Sequence, residues 1–418
     1  MGFTLIKTSV FSAIATFIKV IAGFISTKVI SVYIGPSGLA LMGQMNNFIS
    51  MMSNIASAGV NSGVIKYTSE FYDDSAIKQK VWSSALKISL VLILPMAILI
   101  IIIADYLSKW LLHTDEYSSI FIIFAVTVIF FVLNGLLTSI LNGQKEIKKL
   151  TLLNITGSIL GLVVTVCLVM QFKLFGALVA GIVSQSIVFF VTISFVAKSN
   201  WFSITMFIGK LDKEYTIRLL RFSAMALTSA FMIPISQIYI RDYIGTNIGW
   251  DQAGYWQAVW RISEAYLQVI TITLGVYYLP KLASIKEKAD LRNELFHGYK
   301  IIMPAVIAMA LGIYLFRDLI ITILFTKSFM PMRELFFFQL IGDVIKIASW
   351  LFGYIMLAKA MTRLYIVSEI LFTISFVGLA VLFVNIYGLI GVTIAFMLNY
   401  TLYLIVLYFR LKGFIYDK

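Results

Sequence analysis

Residues 150–171 read LTLLNITGSILGLVVTVCLVMQ, and residues 175–197 read FGALVAGIVSQSIVFFVTISFVA. Each run is longer than 20 residues, and neither contains a charged side chain. A helix that crosses a lipid bilayer needs about 20 predominantly apolar residues. The two runs therefore predict two consecutive membrane-spanning helices, with Lys173 in the short connection between them.

Runs of the same kind recur along the whole chain. Twelve are present, at about residues 8–33, 38–64, 83–104, 117–142, 150–171, 175–197, 216–244, 253–279, 300–325, 331–358, 363–386 and 388–409. Inside lipid every backbone polar group must be satisfied, and a helix does this within one segment. Because strand-like alternation is absent over these lengths, the sequence predicts an all-α integral membrane protein with twelve transmembrane helices.

The composition argues against several classes of protein. Of the 418 residues 60% are apolar and 13% are charged, whereas a soluble domain has about 25% charged residues. One cysteine and two histidines give no metal-ligand spacing and no intramolecular disulfide. No glycine-rich phosphate-binding loop is present, and no connection is long enough to form an enzymatic domain. We therefore expect no cofactor, no metal and no enzymatic activity.

The net charge of +13 is distributed unevenly over the predicted bundle. Of the 33 lysines and arginines, 23 fall in connections on the side of the termini, six on the opposite side and four within spans. Lysine and arginine are enriched in cytoplasmic connections, so both termini are expected in the cytoplasm. The positive charge is thus a topology signal, and we expect the lipid bilayer, not a nucleic acid, as the partner.

Sequence markers recur between the two halves of the chain. Gly38 precedes Gly59-Val60 in the second span, and Gly254 precedes Gly275-Val276 in the eighth, both by 21 residues. Six spans per half return the chain to one side of the membrane. The repeat is therefore parallel, with a pseudo-twofold axis along the membrane normal and a substrate site between the halves. We expect an N-terminal six-helix lobe at residues 1–198, a cytoplasmic linker at 199–215 and a C-terminal six-helix lobe at 216–418.

Three basic residues within the spans are candidates for a cationic site. Lys19 lies near the middle of the first span on a small polar face, and Arg261 and Lys346 lie in the eighth and tenth spans. A charge at the bilayer centre costs about 2.5 to 3.5 kcal/mol, so each one requires a function or a partner. Cations in a low-dielectric cavity suit an anion, and arginine binds phosphate oxygens in a bidentate manner. The alternative for Lys19 is a salt bridge that only fixes packing.

Amide side chains in the spans form a candidate polar wall that suits sugar hydroxyl groups. They are Asn47, Asn54, Gln257, Gln268 and Gln339. For Asn47 and Asn54, in the second span, the alternative is a hydrogen bond between helices, which amide and small residues commonly provide.

Three acidic residues within the spans are candidates for ion coupling. They are Glu264, Asp343 and Glu369. The helical spacing also permits two internal ion pairs, Arg261–Glu264 and Asp343–Lys346. Both interpretations stay open at the level of the sequence.

Several strings resemble a known family of transporters. They are Lys19, Gly35-Pro36-Ser37-Gly38, Tyr255-Trp256-Gln257, Ser263-Glu264-Ala265-Tyr266-Leu267-Gln268 and Gln339-Leu340-Ile341-Gly342-Asp343-Val344-Ile345-Lys346. With the twelve-span pattern, they make the chain resemble the Wzx-type flippases of the multidrug/oligosaccharidyl-lipid/polysaccharide exporter (MOP) superfamily. It is especially similar to the O-antigen and enterobacterial common antigen translocases. The resemblance covers nearly the whole chain and implies a MATE-like fold of two lobes that alternate between inward-open and outward-open states.

The resemblance implies a function in lipopolysaccharide and polysaccharide biosynthesis. It implies translocation of an undecaprenyl-diphosphate-linked oligosaccharide from the cytoplasmic to the periplasmic leaflet of the bacterial inner membrane. The three cations would hold the diphosphate, and an ion gradient would drive transport through Asp343 or Glu264. A polysaccharide polymerase and a chain-length regulator of the same pathway are the implied protein partners.

Two other functions are compared with this one. The first is a cation-coupled multidrug exporter of the same superfamily, but a chamber with three buried bases would repel cationic drugs. The second is a membrane enzyme such as a polymerase or ligase. That chemistry is expected to need a sizeable outward-facing loop, which the sequence lacks.

Overall fold

The computed structural model describes residues 2–209 and 211–416, and the side chains of residues 15–209, 211–220, 223, 227–275 and 277–414. These residues form helices joined by short connections, and no strand occurs among them. The predicted all-α fold is therefore confirmed. It follows from the long apolar runs, since a helix satisfies its own backbone groups in lipid.

The described residues contain fourteen α-helices, four of them with ten residues or fewer. They are α1 (Gly2–Ala56), α2 (Asn61–Glu70), α3 (Ser75–Ile102), α4 (Ala104–Leu112), α5 (Ser118–Gly143), α6 (Ile147–Val196), α7 (Lys213–Asn247), α8 (Trp250–Thr273), α9 (Leu279–Ser284), α10 (Lys288–Leu315), α11 (Arg317–Leu324), α12 (Phe336–Ala358), α13 (Thr362–Tyr387) and α14 (Ile390–Tyr416). Two 3₁₀ helices, Ile204–Met206 and Lys327–Leu335, and a π-helix, Leu274–Tyr278, complete the set.

Two of the helices are each interrupted where the sequence predicts a boundary between spans. In α1 the interruption is Gly35 (φ 65°), and in α6 it is Lys173 (φ 50°). By length and composition, eight helices of the described residues are able to cross a membrane when each interrupted helix is taken as one. The chain is a multi-pass membrane protein, and the number of twelve transmembrane helices stays a prediction.

The predicted second span, residues 38–64, is not one continuous helix. Helix α1 ends at Ala56, and α2 begins only at Asn61. Between them Ala58 (φ 49°) and Gly59 (φ 61°) are left-handed, and the Gly59 N–H donates to Asn54 O at 3.1 Å. Such a bond across five residues closes a left-handed helix end, for which glycine is the favoured residue. A side chain at Gly59 would also contact Leu227, whose Cγ lies 2.8 Å from an ideal Cβ.

The corresponding position in the second half has a different irregularity. Gly275-Val276, which the sequence pairs with Gly59-Val60, lies within the π-helix Leu274–Tyr278. A π-helix is a rare arrangement in which one extra residue is accommodated without ending the helix, and it occurs often at functional sites. The helical hydrogen-bond pattern is thus interrupted at repeat-related positions of both halves.

The chain divides into two compact units. Unit 1 consists of Met1–Ile34 and Leu41–Pro234, and unit 2 consists of Gly35–Ala40 and Ile235–Lys418. The chain passes from unit 1 to unit 2 within α7, at Pro234, whereas the sequence predicts the boundary at residues 199–215. The lobe boundaries at 198 and 216 therefore stay a prediction.

In unit 1 the segment that follows α6 packs on the ends of α3 and α5. The buried Trp82 ring lies 5.3 Å from Trp201 and 5.9 Å from Phe207. Gln79 Nε2 donates a hydrogen bond of 2.8 Å to the Thr205 carbonyl. The aromatic contacts and this hydrogen bond make the segment part of the folded unit.

In unit 2 the turn after the first span lies against the start of α8. The Ser37 N–H donates a hydrogen bond of 3.1 Å to the Asp251 carboxylate. An ideal Cβ at Gly254 would lie only 2.0 Å from the Pro36 carbonyl oxygen. This close approach of backbone to backbone requires glycine at residue 254, because a methyl group has no space there.

Candidate functional site

One side of α8 carries the polar residues that the sequence singles out in the eighth span. Gln257 and Arg261 are half-buried and Glu264 is exposed, while Trp256 and Trp260 are buried. The Trp260 indole Nε1–H donates a hydrogen bond of 2.7 Å to Glu264 Oε1. No carboxylate oxygen of the described residues lies within 4.0 Å of the Arg261 guanidinium. The internal Arg261–Glu264 ion pair that the spacing permits is therefore not formed.

Arg241, on α7, is a charged residue of this site that the sequence analysis did not identify. Because it lies near the end of an apolar run, the sequence predicts it among the six basic residues on the side of the membrane opposite the termini. In the structure its side chain is only 1% exposed. Its Nη2 donates a hydrogen bond to Gln257 Oε1, and its guanidinium carbon lies 5.7 Å from the centre of the Trp256 ring. No local sequence pattern indicates this burial, because the partners lie on another helix.

Asp343, on α12, is fully buried and is held by neutral groups. Its Oδ2 accepts a hydrogen bond of 2.9 Å from Tyr266 Oη, and its Oδ1 accepts one of 3.2 Å from Gln339 Nε2. Gln339 is 0% exposed, and its Oε1 has no hydrogen-bond partner among the described residues. Buried polar atoms are usually satisfied, so this carbonyl oxygen requires an explanation.

Lys346 lies one turn after Asp343 and is surrounded by aromatic rings. Its Nζ lies 4.9 Å from the centre of the Trp350 ring and 5.5 Å from that of Trp260. Tyr400 and Phe396 follow at 5.7 and 5.9 Å. An ammonium within about 6 Å of a ring face is attracted by about 0.5 to 2 kcal/mol.

The Lys346 ammonium forms no ion pair in unit 2. No carboxylate oxygen of the described residues lies within 4.0 Å of its Nζ, so Asp343 and Lys346 are not a self-neutralising pair. Glu264 and Glu369 act on the Lys346 charge only over a longer distance. The aromatic rings stabilise the cation but leave its charge uncompensated by a direct contact.

Two further predicted residues lie on neighbouring parts of unit 2. Glu369, on α13, is half-buried and interacts electrostatically with Lys346 and Tyr400. Gln268, on α8, is half-buried, and its backbone carbonyl accepts a hydrogen bond of 3.0 Å from Thr271. The eight predicted residues on α8, α12 and α13 thus all belong to one unit.

The other three predicted residues belong to unit 1. Lys19 is exposed on α1, and Asn47 is half-buried. The Asn54 Nδ2 donates a hydrogen bond of 2.8 Å to the Ser50 carbonyl, within its own helix. This contact uses one of the two N–H donors of the amide within its own helix, and the role of Asn54 stays a prediction.

The geometry of unit 2 favours the binding of an anion. Arg261 and Lys346 have no carboxylate in direct contact, and Arg241 adds a third interior cation. Guanidinium groups bind carboxylate and phosphate oxygens in a bidentate manner. The low dielectric around buried groups strengthens such contacts.

Comparison with known proteins identifies the family. The family described as "Polysaccharide biosynthesis protein" matches residues 29–334. The chain belongs to this family. The matched residues include the interruption of α1 at Gly35, all of α8 and Arg241, whereas α12 and α13 follow the matched range.

Two relatives of this chain bear a functional name. They are the proteins named "Lipid III flippase" of Escherichia coli (strain K12) and of Shigella flexneri. Each is 30% identical over 401 residues, which is 96% of this chain and 96% of the relative. The similarity therefore extends over both units.

Solved structures of transporters show the same fold. One is the inward-facing conformation of a multidrug resistance MATE family transporter of the MOP superfamily. Its TM-score with this chain is 0.79 at 17% sequence identity, and the match covers 95% of this chain and 94% of that chain. An outward-facing conformation of such a transporter gives 0.68 at 18% identity, with 98% and 95% covered. At these identities the likeness shows the fold alone, and it confirms the MATE-like fold class.

Proposed function

We propose that this protein is a flippase that moves undecaprenyl-diphosphate-linked oligosaccharides from the cytoplasmic to the periplasmic leaflet by alternating access. The observation that carries the proposal is the pair Arg261 and Lys346, two interior cations with no carboxylate within 4.0 Å. The 30% identity to proteins named "Lipid III flippase" supports the same substrate class. These cations have no carboxylate partner, and the diphosphate of a lipid-linked oligosaccharide supplies a negatively charged group that can bind them.

The parts of the substrate are assigned by chemistry. Arg261 and Lys346 bind the diphosphate, and Lys19 is the third cation proposed for it. The amide groups of Asn47, Asn54, Gln257, Gln268 and Gln339 are the candidates for contact with sugar hydroxyls. The polyprenyl chain stays in lipid, where its transfer requires no binding energy from the protein.

Transport is proposed to be coupled to an ion gradient through Asp343, with Glu264 and Glu369 as further acidic candidates. In the structure Gln339 donates to Asp343 and leaves its own Oε1 without a partner. Rotation of the amide would present Oε1 to a protonated Asp343, which can donate one hydrogen bond. Gln339 can therefore form a hydrogen bond with Asp343 in both protonation states of the carboxyl group. The Asp343→Asn variant is expected to lose the dependence of transport on a pH gradient.

The remaining assignments follow from the same proposal. We place the protein in the bacterial inner membrane with both termini in the cytoplasm, as the distribution of lysine and arginine favours. It acts as a transporter and not as an enzyme, and a polymerase and a chain-length regulator of the pathway are its proposed partners. Export of cationic drugs is disfavoured because interior cations repel them.

A reconstituted system tests the proposal. Purified protein in liposomes is supplied with a fluorescent undecaprenyl-diphosphate-linked oligosaccharide, and transfer between leaflets is measured by chemical quenching from outside. The double variant Lys19→Ala/Arg261→Ala is expected to lose transfer. The control is Lys109→Ala/Arg333→Ala, which removes two positive charges from exposed ion pairs with Asp115 and Asp318. This control is expected to retain transfer. Full transfer by the first double variant would refute the cationic mechanism.

A further inference from the structure

The contact between Arg241 and Gln257 fixes the orientation of the amide group. A guanidinium has five N–H donors and no acceptor. Only the carbonyl oxygen of Gln257 can therefore face Arg241, and the structure has this arrangement. Arg241 is itself held by the Trp256 ring and is buried, so it cannot follow the amide if the amide rotates.

The same contact leaves the other end of the amide available. With Oε1 directed at Arg241, the NH₂ group at the other end of the planar amide is directed away from this contact. The Gln257 side chain is half-buried, and its Nε2 has no hydrogen-bond acceptor within the part of the chain that the structure describes. Buried or half-buried donors are normally satisfied by protein, water or a ligand.

Gln257 and Arg261 lie on one face of α8. Residues four apart on a helix are neighbours, at about 5 to 6 Å between their Cβ atoms. Both residues present only donors to that face, because the one acceptor of Gln257 is occupied by Arg241. A group that satisfies both must supply acceptor oxygens, and an ionised phosphoryl group, which has several acceptors and a negative charge for Arg261, fits better than a sugar hydroxyl.

We propose that Arg241 is a positioning residue that holds Gln257 so that the Gln257 amide NH₂ and the Arg261 guanidinium together bind a phosphoryl oxygen of the substrate. This inference rests on the proposed function and refines it. Gln257 is assigned to the phosphate end of the substrate rather than to the sugar wall. Arg241 does not touch the substrate, and its effect is exerted through Gln257.

The decisive variant is Gln257→Glu. A glutamate still accepts from Arg241, so the packing around Trp256 is retained, but the NH₂ donor is replaced by a carboxylate oxygen. Hydrogen bonds to charged groups contribute about 1.5 to 3 kcal/mol, so the affinity for inorganic pyrophosphate is expected to fall by about 10-fold or more. Gln252→Glu, the same substitution in the first turn of α8, is the control and is expected to bind as the wild type does.

Arg241 is tested with a pair of variants. Arg241→Met releases the amide and is expected to raise the apparent KM for a diphosphate-linked lipid about 5-fold, with the maximal transfer rate within about 2-fold of wild type. Arg241→Lys supplies one donor for Oε1 and is expected to restore at least half of the affinity. A purely structural role would instead lower the amount of folded protein and the maximal rate together, without rescue by lysine.

Pyrophosphate binding is measured by calorimetry on the detergent-solubilised full chain, and transfer is measured in liposomes. If Arg261→Ala loses binding while Gln257→Glu and Arg241→Met behave as the wild type does, the positioning role is refuted and the flippase proposal stands. If the wild type neither binds pyrophosphate nor transfers the lipid, both proposals are refuted. If Gln257→Glu alone weakens binding, the amide contact stands and the role of Arg241 is refuted.

Discussion

Each unit contains a tryptophan that donates its indole N–H to a glutamate, but the surroundings of the two carboxylates differ. In unit 1 Trp201 donates to Glu146, which also forms an ion pair of 2.6 Å with Lys149. In unit 2 Trp260 donates to Glu264 at 2.7 Å, and no cationic nitrogen of the described residues lies within 4.0 Å of that carboxylate.

The difference shows two uses of charge in one chain. In unit 1 charges are paired where the segment after α6 packs on the helix ends, and they contribute to folding. In unit 2 the charges of Glu264, Arg261 and Lys346 interact only over longer distances. Arg261 and Lys346 are half-buried and have no ion pair. Such charges are costly within a membrane, so an anionic ligand explains their presence better than stability does.

The largest difference is expected between Lys346→Met and Lys149→Met. Lys346→Met keeps the side-chain length and removes an uncompensated charge, so lipid transfer is expected to fall at least about 10-fold while Tm stays constant or rises. Lys149→Met breaks the ion pair with Glu146, so Tm is expected to fall while transfer per folded molecule is unchanged. Transfer in liposomes and thermal unfolding in detergent are the measurements. Equal losses of transfer in both variants would remove the distinction between the units.

The two glutamates provide the next test. Glu264→Gln and Glu146→Gln both keep an acceptor for the tryptophan and remove a charge. We expect Glu264→Gln to lower the transfer rate about 5-fold at constant Tm, because Glu264 is a candidate for ion coupling and its charge acts on the interior cations. Glu146→Gln is expected to lower Tm by about 2 to 4 °C, since a partly buried ion pair contributes about 1 kcal/mol. A reversal of these two phenotypes would contradict the assignment.

A smaller effect is expected from the ring closest to Lys346. Trp350→Leu removes the ring 4.9 Å from Nζ, and a cation–π contact contributes about 0.5 to 2 kcal/mol. Transfer is expected to fall about 3-fold because the ammonium is less well positioned. Trp350→Phe keeps a ring and is expected to retain most of the activity. No loss with leucine would show that the other three rings suffice.

The smallest effect concerns Asp212, which caps α7 in unit 1. The Tyr215 N–H hydrogen bond is the main cause that holds the pKa of Asp212 below its ordinary value of 3.8, and Lys80 at 3.4 Å adds to it. A lowered pKa means that the carboxylate stabilises the fold above about pH 4, and that this contribution is lost as pH falls through the lowered pKa.

Asp212→Asn keeps the cap and removes the charge, so its effect isolates the electrostatic part. Tm of the variant is expected to lie slightly below that of the wild type at pH 6. The Tm values of the variant and of the wild type are expected to become equal at pH values below the lowered pKa, where the wild-type carboxyl is also neutral. A constant difference in Tm from pH 6 to pH 3 would contradict the assignment of the pKa.

The fold was predictable from the sequence to the extent that it depends on local patterns. Apolar runs predict the helices, and Lys173 marks the interruption of α6. The left-handed Ala58 carries no such signal, so the end of α1 at Ala56 was missed although Gly59 is recognised as a repeat marker. The Gly59–Asn54 and Ala58–Ile55 hydrogen bonds close the turn that contains this left-handed alanine.

The candidate site was predictable in its residues but not in its contacts. Spacing places Arg261 and Glu264 on one face, yet Glu264 bonds Trp260 because side-chain direction depends on the neighbouring groups. Lys346 is bound by rings from α8 and α14, and Arg241 is buried by α8. Such contacts between distant segments are not encoded in any local pattern.

The turn at residues 35–40 has a consequence for the order of folding. It contacts the start of α8, and Ser37 and its partner Asp251 are 214 residues apart. At a synthesis rate of about 5 to 20 residues per second, about 10 to 40 s pass before the partner is made. The turn therefore leaves the ribosome long before its partner is made, and a chain that stops before α8 keeps this turn without that partner.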